Sequence, residues 1–441
     1  LLLTDIIQTQ LIRINLPEFE TNILEFICRR SNSLWNQAIY YTHKNHELTH
    51  PTSFSPNVSY EQLAGDLKDE QNYKLLYSQV AQQTLKSVAE GFKSFKELLL
   101  MWRKGELPHM NGEPRPPKYR KKGGLFQVSY PAQALTFELD SPFVRVPLGQ
   151  ELTALEGVQY LYLPCPFGIQ PEQICELTII PRNREFYAVY SYKKQPLIAI
   201  NLDKTKALGI DHGRDNWLTC VSNIGTSFIV DGLEIKSINQ WHNKRVATIK
   251  EGKEADFWNN RLAKITEKRN RQMRDAVNKA ARLVIDHCLE NGISTVVFGW
   301  NPGQKQRTEM GKIGNQSFVQ IPTGRLKERI KQMCDLHGIQ FVETEEAYTS
   351  KSSFVDGDEL PKHGEKPIGY KPSGKRVKRG LFRTGLNWYI NADCNGAANC
   401  LRKVSTTLGL VLDGVSRGSL ATPARLRIWN GASKRPLPGL A

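Results

Sequence analysis

Apolar and polar positions follow two different rhythms in the first part of the chain. Between residues 78 and 103, apolar side chains recur at alternating steps of four and three residues, which places them on one face of a helix. Residues 11–16, and several runs within residues 126–192, instead alternate apolar and polar positions, with Pro and Gly between the runs. This period of two is typical of β-strands. We therefore expect a mainly helical segment up to about residue 104, then an all-β region whose sheet the strand at 11–16 could complete.

From residue 206 onward the pattern becomes that of an α/β protein. Residues 207–211, 218–222 and 227–230 predict the strands of a meander, and residues 257–289 predict one long amphipathic helix. A buried strand at 295–298, a helix at 322–337 and a strand at 339–345 follow. Strand–helix–strand spacing of this kind favours a parallel sheet. The predicted fold class is an α+β multidomain protein with an α/β domain in its C-terminal half.

The net charge of +16 on 441 residues indicates a polyanionic partner more readily than a small substrate. Cations concentrate in a proline-punctuated linker, in the middle of the long helix, and just before residue 393. We expect nucleic-acid contacts from these residues: Lys118, Tyr119, Arg120, Lys121, Lys122, Lys264, Lys268, Arg271, Lys375, Arg376, Lys378 and Arg379. In the linker a tyrosine stands among the cations, so base stacking and phosphate contact are both available. A merely solvated surface is the alternative for each group.

Two aspartates stand at the ends of predicted elements. Asp211 ends an apolar strand, with Gly213 allowing a sharp turn behind it, and Asp393 opens a helix that begins with small residues. Carboxylates brought together from distant segments are typical of two-metal phosphodiesterase sites, where Mg2+ ions about 3.5–4 Å apart activate water and stabilise the leaving oxygen. Taken singly, each aspartate is equally compatible with a strand-end or helix-capping residue.

The segments 208–213, 295–300 and 391–399 carry a family resemblance. Their order and their residues, LGIDHG, TVVFGW and NADCNGAAN, resemble the RuvC-type nuclease core of the transposon-encoded TnpB (OrfB) family, relatives of the type V CRISPR effectors. The resemblance covers roughly residues 11–404 and is strongest from residue 207. It implies a β-barrel wedge domain made of residues 1–17 and 107–205, with a helical recognition lobe, 18–106, inserted in it. It also implies an RNase H-like (RuvC) nuclease domain at 206–404 with an insert at 351–388, followed by a tail, 405–441, for which we have no functional account.

The function that this resemblance implies is RNA-guided DNA cleavage. A guide RNA from the transposon end would pair with double-stranded target DNA, while the protein reads a short adjacent DNA motif. Asp211 and Asp393 would be catalytic ligands of two Mg2+ ions, for which Mn2+ could substitute. The expected location is the bacterial cytoplasm, with nucleoid association on DNA binding. The sequence shows neither a signal peptide nor the roughly 18 uninterrupted apolar residues of a membrane span, so no membrane partner is expected.

The sequence departs from the family at the third carboxylate. The family has a glutamate at the end of the fourth core strand, where this chain has Gly299. The next strand ends in an acidic cluster, about 4.8 Å further away if the two strands are neighbours. We predict that Glu346 completes the catalytic site and ligates metal, with Glu345 as the alternative catalytic residue and Glu343 less favoured. A solvated acidic strand exit is the competing interpretation.

That departure leaves two other functions open. Without the third ligand, the protein would be an RNA-guided DNA-binding protein that does not cut. A guide-independent RNase H-like nuclease or transposase is a further alternative.

A second departure concerns zinc. Most family members carry four cysteines shortly after residues equivalent to 349–351, but here residues 352–358 contain none. The eight cysteines of the chain are scattered and form no Cys-x-x-Cys pair. We therefore expect an insert without zinc, packed through Phe354 and Leu360, and buried, reduced thiols.

Overall fold

The computed structural model describes residues 5–49, 58–107, 110, 112–138, 141–197, 199, 201–213, 215–301 and 321–429. The chain folds as two compact units that divide between Lys194 and Gln195. None of the helices within these described ranges is both long enough and apolar enough to cross a membrane.

The N-terminal unit contains two antiparallel sheets. One has the strand order β1-β7-β6-β2 and the other β3-β4-β5. β1 pairs with β7 from Ile6, opposite Lys194, to Ile14, opposite Phe186, which confirms that the early strand completes a sheet built mostly from later residues. The strands are β1 (Ile6–Ile14), β2 (Val128–Pro131), β3 (Thr136–Phe137), β4 (Phe143–Pro147), β5 (Tyr160–Pro164), β6 (Ile174–Arg182) and β7 (Glu185–Lys194).

Helices of the same unit share a hydrophobic core with these sheets. They are α1 (Glu18–Thr49), α2 (Tyr60–Leu67), α3 (Gln71–Lys74), α4 (Ser78–Arg103) and α5 (Gln150–Glu156). The predicted helix over residues 78–103 is confirmed, and its apolar face is buried as its spacing required: Ala81, Leu85, Val88, Phe92, Phe95 and Leu99. The short α5 lies inside the region predicted to be all β.

The C-terminal unit is built on one six-stranded sheet in the order β12-β11-β8-β9-β10-β16. β8, β9 and β10 form the predicted antiparallel meander, and β11 and β12 run parallel to β8, as the strand–helix–strand spacing predicted. The carboxyl ends of β8, β11 and β12 therefore meet at one edge. The strands are β8 (Asp203–His212), β9 (Asn216–Ser222), β10 (Ser227–Asp231), β11 (Ile293–Gly299), β12 (Gln340–Thr344) and β16 (Ala424–Leu426), the last supplied by the tail.

Helices and a small second sheet surround that sheet. The helices are α6 (Leu233–Lys250), α7 (Asn260–Asn291), α8 (Thr323–His337), α9 (Ala392–Leu408) and α10 (Arg417–Ala421). The second sheet, in the order β13-β14-β15, consists of β13 (Lys375–Lys378), β14 (Leu381–Arg383) and β15 (Tyr389–Asn391).

The start of the long helix differs from the prediction. α7 begins at Asn260 because the Asn259 side chain accepts a hydrogen bond from the Leu262 N–H and caps the first turn. Trp258, which the periodicity placed on the buried stripe, precedes the helix and is 45% exposed. Periodicity alone did not detect the cap, so the prediction began three residues too early.

Candidate active site

The edge where the parallel strands end brings together the residues singled out by the sequence. Asp211 is the next-to-last residue of β8, Gly299 is the last residue of β11, and Glu346 lies two residues beyond β12. Pairing in register, with Phe298 opposite both Ile210 and Glu343, aligns the three strand ends. Because these strands are parallel and in register, Asp211 and Glu346 lie at the same edge of the sheet although they are distant in sequence.

Asp211 lies among other carboxylates and is removed from water. Its burial raises the pKa of Asp211 well above the usual value, and the negative charges of Glu346 and Asp393 raise it further, while Arg376 opposes them. α9 passes close by because Gly396 has no side chain: a Cβ there would lie 3.2 Å from the Asp211 carboxyl carbon. The small residues at the start of α9 thus let that helix approach Asp211.

Asp393 is held at the first turn of α9 by neighbours from three segments. The Asn391 side chain caps the helix by accepting hydrogen bonds from the N–H groups of Asp393 and Cys394, at 2.9 and 3.1 Å. Asn216 donates to one carboxylate oxygen at 2.7 Å, and the Arg376 guanidinium donates to the other at 3.1 Å. Both oxygens of Asp393 therefore have a defined orientation.

The side chain of Glu346 fills the space that Gly299 leaves open. A Cβ on Gly299 would lie only 2.9 Å from Cγ and Oε1 of Glu346, and 2.9 Å from the Cys400 Sγ. The Glu346 side chain is about 10% exposed, and its burial raises its pKa to about 7. The carboxylate thus reaches from the strand next to β11 to the end of β11 itself.

The other acids of the same segment are engaged elsewhere. Glu345 receives a hydrogen bond from Lys403 at 2.7 Å and one from the His363 N–H at 3.3 Å. Burial alone would raise the pKa of Glu345, but these partners lower it. Glu343 forms an ion pair with Lys327 at 2.8 Å. Of the three glutamates, Glu346 is the one whose charge acts on Asp211.

The carboxylate oxygens of Asp211, Glu346 and Asp393 are suitable ligands for a divalent cation, but they are not already arranged around one point. In the part of the chain that the structure describes, no group of three or more His, Cys, Asp or Glu is spaced to hold a metal ion. Asp393 is instead bonded to Asn216 and Arg376. Oε1 of Glu346 is buried and accepts no hydrogen bond from the described residues, and the clustered negative charge of the carboxylates calls for a cation. Oxygen donors of this kind are those that Mg2+ prefers.

The basic linker is fastened to helix α1. Trp35 Nε1 donates to the Lys118 carbonyl at 3.2 Å, and the Asn32 side chain donates to the Lys121 carbonyl at 3.0 Å. The Asn36 side chain makes two hydrogen bonds with the Arg120 backbone, at 2.7 and 3.0 Å. The backbone of the run is therefore fixed. Its side chains remain exposed: Lys118, Tyr119, Arg120, Lys121 and Lys122.

Within that run Arg120 differs from the lysines. Its guanidinium lies 3.9 Å from the centroid of the Phe126 ring, and this partial shielding from water lowers the pKa of Arg120. A cation–π contact of this geometry stabilises the run itself. Arg120 therefore has a structural contact that the neighbouring lysines do not share.

The remaining predicted cations lie on two elements of the C-terminal unit. On α7, Lys264 and Lys268 are exposed, and Arg271 is half-buried. The exposed edge strand β13 carries Lys375, Arg376 and Lys378, and Arg379 follows it and pairs with Asp215 at 2.5 Å. Because Arg376 contacts Asp393, this second strip lies beside the carboxylates.

Sequence reasoning missed three polar residues that contact these carboxylates. They are Asn216, Asn301 and His212. The weak signals were a histidine directly after Asp211 and an asparagine two residues after Gly299.

Two family models match separate parts of the C-terminal half. Residues 190–301 match OrfB_IS605, described as a probable transposase, and residues 324–400 match the Cas12f1-like TNB domain. The C-terminal half of the chain is therefore similar to the TnpB (OrfB) family and to the type V CRISPR effectors. The first match contains Asp211 and Gly299, and the second contains Glu346 and Asp393.

The fold of this chain resembles that of one solved effector structure. The protein in a cryo-EM structure of a Cas12f1–sgRNA–target DNA complex is 14% identical over 87% of this chain and 83% of that one, with a TM-score of 0.52. The mini-RNA-guided endonuclease CRISPR-Cas_phi3 is 10% identical over 94% of this chain and 93% of that one, with a TM-score of 0.45. A comparison with curated proteins gives no match.

The TNB-like insert of this chain is held by carboxylates and hydroxyls. Asp358 accepts a hydrogen bond from the Ser353 N–H at 2.7 Å and one from the Ser373 hydroxyl at 2.6 Å. Asp356 accepts a hydrogen bond from the Gly385 N–H at 2.6 Å, and its carboxylate lies 3.1 Å from the same Ser373 hydroxyl oxygen. This network ties distant parts of the insert together at the place where most family members have cysteines.

Proposed function

We propose that this TnpB-like chain is an RNA-guided DNA endonuclease with a RuvC-like site made of Asp211, Asp393 and a relocated glutamate, Glu346. One observation carries the proposal: the Glu346 carboxylate occupies the space that a side chain on Gly299 would fill. The missing acid at the end of β11 is therefore replaced in space, from the neighbouring strand.

The three carboxylates would hold Mg2+, which when bound activates water and stabilises the leaving oxygen in phosphodiester hydrolysis. The protein's own residues prepare that site. Asn216 orients Asp393 by a 2.7 Å hydrogen bond, and Arg376 balances its charge. Gly396 lets α9 bring Asp393 close to Asp211.

The proposed partners are a guide RNA and double-stranded target DNA. The charge of +16 supports polyanionic partners, and the Cas12f1 of similar fold was solved with its guide RNA and target DNA. We assign phosphate contacts to the exposed lysines of the linker, to Lys264 and Lys268 on α7, and to the cations of β13. The N-terminal unit would supply the wedge domain and recognition lobe, and the C-terminal unit the nuclease domain.

Moving the acid back to β11 tests the proposal. Glu346→Gln should lower the rate of Mg2+-dependent cleavage of matched DNA at least about 100-fold, roughly 2.7 kcal/mol of barrier. Glu345→Gln is the matched control and should cut like the parent. Gly299→Glu alone should also fail, because its side chain meets that of Glu346. The double variant Gly299→Glu/Glu346→Ala should recover cleavage, because Ala removes the Cγ and the carboxylate that the new side chain would meet. If Glu346→Gln cuts at the parental rate, the relocated acid is excluded.

One observation favours the alternative of an RNA-guided binder without cleavage. The Arg376 guanidinium already balances the charge of Asp393, which a metal ion would otherwise balance. If the parent binds matched DNA but does not cut it in Mg2+ or Mn2+, this alternative replaces the nuclease.

A further inference from the structure

The segment immediately after β11 is built around the Glu346 side chain. Gly299 provides the space, and the Trp300 N–H donates to the Thr344 carbonyl at 2.8 Å, extending the pairing of β11 with β12 by one residue. Asn301 then turns towards Glu346. Its Oδ1 accepts a hydrogen bond from the Glu346 N–H at 3.0 Å, and its Nδ2 lies 3.5 Å from Glu346 Oε2.

The second carboxylate oxygen of Glu346 is faced by a histidine. His212 Nε2 lies 3.5 Å from Glu346 Oε1, and the histidine side chain is only 4% exposed. The imidazole is fixed by aromatic neighbours, with ring centroids 6.0 Å from Phe298 and 5.4 Å from Trp300. One oxygen of Glu346 thus lies 3.5 Å from the Asn301 amide nitrogen, and the other lies 3.5 Å from the nitrogen of a packed imidazole.

We propose that Asn301 and His212 are positioning residues that hold the relocated Glu346 in the geometry needed to bind a divalent cation. This inference rests on the proposed function. Glu346 lies beyond the end of β12, so strand pairing does not fix its backbone, and its side chain has several rotatable bonds. The two side-chain hydrogen bonds of Asn301 found in the described residues both go to Glu346. Fixing this carboxylate is therefore the function that the contacts of Asn301 support.

The physical consequence concerns the affinity for metal more than the stability of the fold. Partners that orient a metal ligand typically change metal affinity about 10- to 100-fold when they are removed. Asn301 lies after the strand, and its loss leaves the hydrophobic core intact. His212→Phe would keep the aromatic packing but remove the nitrogen that faces Oε1.

The test is Mn2+ binding to the full chain, measured by calorimetry, alongside thermal unfolding without metal. Asn301→Ala and His212→Phe should each weaken Mn2+ binding about 10- to 100-fold. Asn278→Ala, the same change at an exposed position on α7, should leave it unchanged. In the Gly299→Glu/Glu346→Ala background the acid comes from position 299 and no longer from position 346, so adding Asn301→Ala should have no further effect.

The outcomes separate the two proposals. A parent chain that binds no Mn2+ overturns the proposed nuclease site. A parent that binds Mn2+, with an Asn301→Ala variant that binds it equally well, overturns the positioning role alone. Equal weakening by Asn301→Ala in the acid-swapped background would make Asn301 merely structural. If the swapped chain does not fold, Glu346→Gln serves as the background, and Asn301→Ala must add nothing there.

Discussion

Glu346 should titrate near neutral pH in the folded chain because its side chain is buried. Its pKa is raised from 4.5 to about 7 by burial. Below pH 4.5 the group is protonated in both the folded and the unfolded state. Between pH 4.5 and 7 the unfolded chain loses this proton while the folded chain keeps it, so the free energy of unfolding falls as pH rises, by about 3 kcal/mol in all.

We predict that the difference in Tm between the parent and Glu346→Gln, measured in the presence of a chelator, depends on pH. The Tm of the parent relative to the variant should fall from pH 5 to pH 7.5, because only the parent must keep this carboxylate buried. Saturating Mg2+ should remove most of that fall. Differential scanning calorimetry at several pH values measures it. A gap that is constant over this range would contradict the assigned burial of a titrating Glu346.

At the level of single residues, the sequence could predict the functional residues that lie at the end of a strand or the start of a helix. Asp211 and Asp393 stand at a strand end and a helix start, and both boundaries follow from local periodicity and capping. The role of Glu346 could also be predicted, because neighbouring parallel strands end at the same edge of a sheet. The roles of Asn216 and Asn301 could not be predicted. Each contacts a carboxylate from a distant segment, and nothing in the neighbouring sequence indicates that contact.

Among the elements, the basic linker owes its order to helix α1 rather than to its own sequence. Replacing Lys118, Lys121 and Lys122 by Gln should weaken binding to matched and unmatched nucleic acid alike. The slope of log affinity against log salt should fall by about 0.7–0.9 for each phosphate that the variant no longer neutralises. Fluorescence anisotropy at several salt concentrations measures it, with Lys68→Gln as the control at an exposed position outside the run. An unchanged slope means that these lysines are only solvated.

The insert offers a second element-level prediction. Asp358→Ala removes the acceptor that joins Ser353 to Ser373, and charged hydrogen bonds of this kind are worth about 1.5–3 kcal/mol each. We expect faster hydrogen exchange in residues 349–388 and little change in the rest of the C-terminal unit. Asp413→Ala, an exposed carboxylate in the tail, is the control. A zinc chelator should leave exchange in the insert unchanged, and loosening by the chelator would show that the network is not what holds it.

Helices and strands could be predicted where regularly spaced apolar residues form one buried face. α4 was placed at its true limits, and the meander and the parallel strands followed from alternation and spacing. α6 was not predicted, because only Ile235 and Asn239 of its residues are buried and no continuous apolar stripe runs along it. Strand β16 was missed because it has only three residues and pairs with β10, almost two hundred positions earlier in the chain.

For the molecule as a whole, the charge of +16 and the exposed cations of the linker, α7 and β13 predict that nucleic-acid binding and cleavage are separable. The cations that would hold nucleic acid are mostly distinct from the carboxylates, so the two properties should respond to different substitutions. Asp211→Ala and Asp393→Ala should abolish Mg2+-dependent cleavage while keeping guide-dependent binding of target DNA. Loss of RNA binding in Asp211→Ala would instead give that residue a structural role.

The guide itself provides the test that separates this function from a guide-independent nuclease or transposase. If base pairing with a bound RNA selects the target, the chain purified from its host should carry one predominant RNA species, and sequencing should identify it. Removing that RNA should abolish target selection, and restoring it should restore cleavage of matched DNA only. Asp211→Ala should carry the same RNA as the parent, because the lysines that would bind it are unchanged. A parent that cuts DNA equally well without RNA would leave the carboxylate site in place but make the chain a guide-independent nuclease.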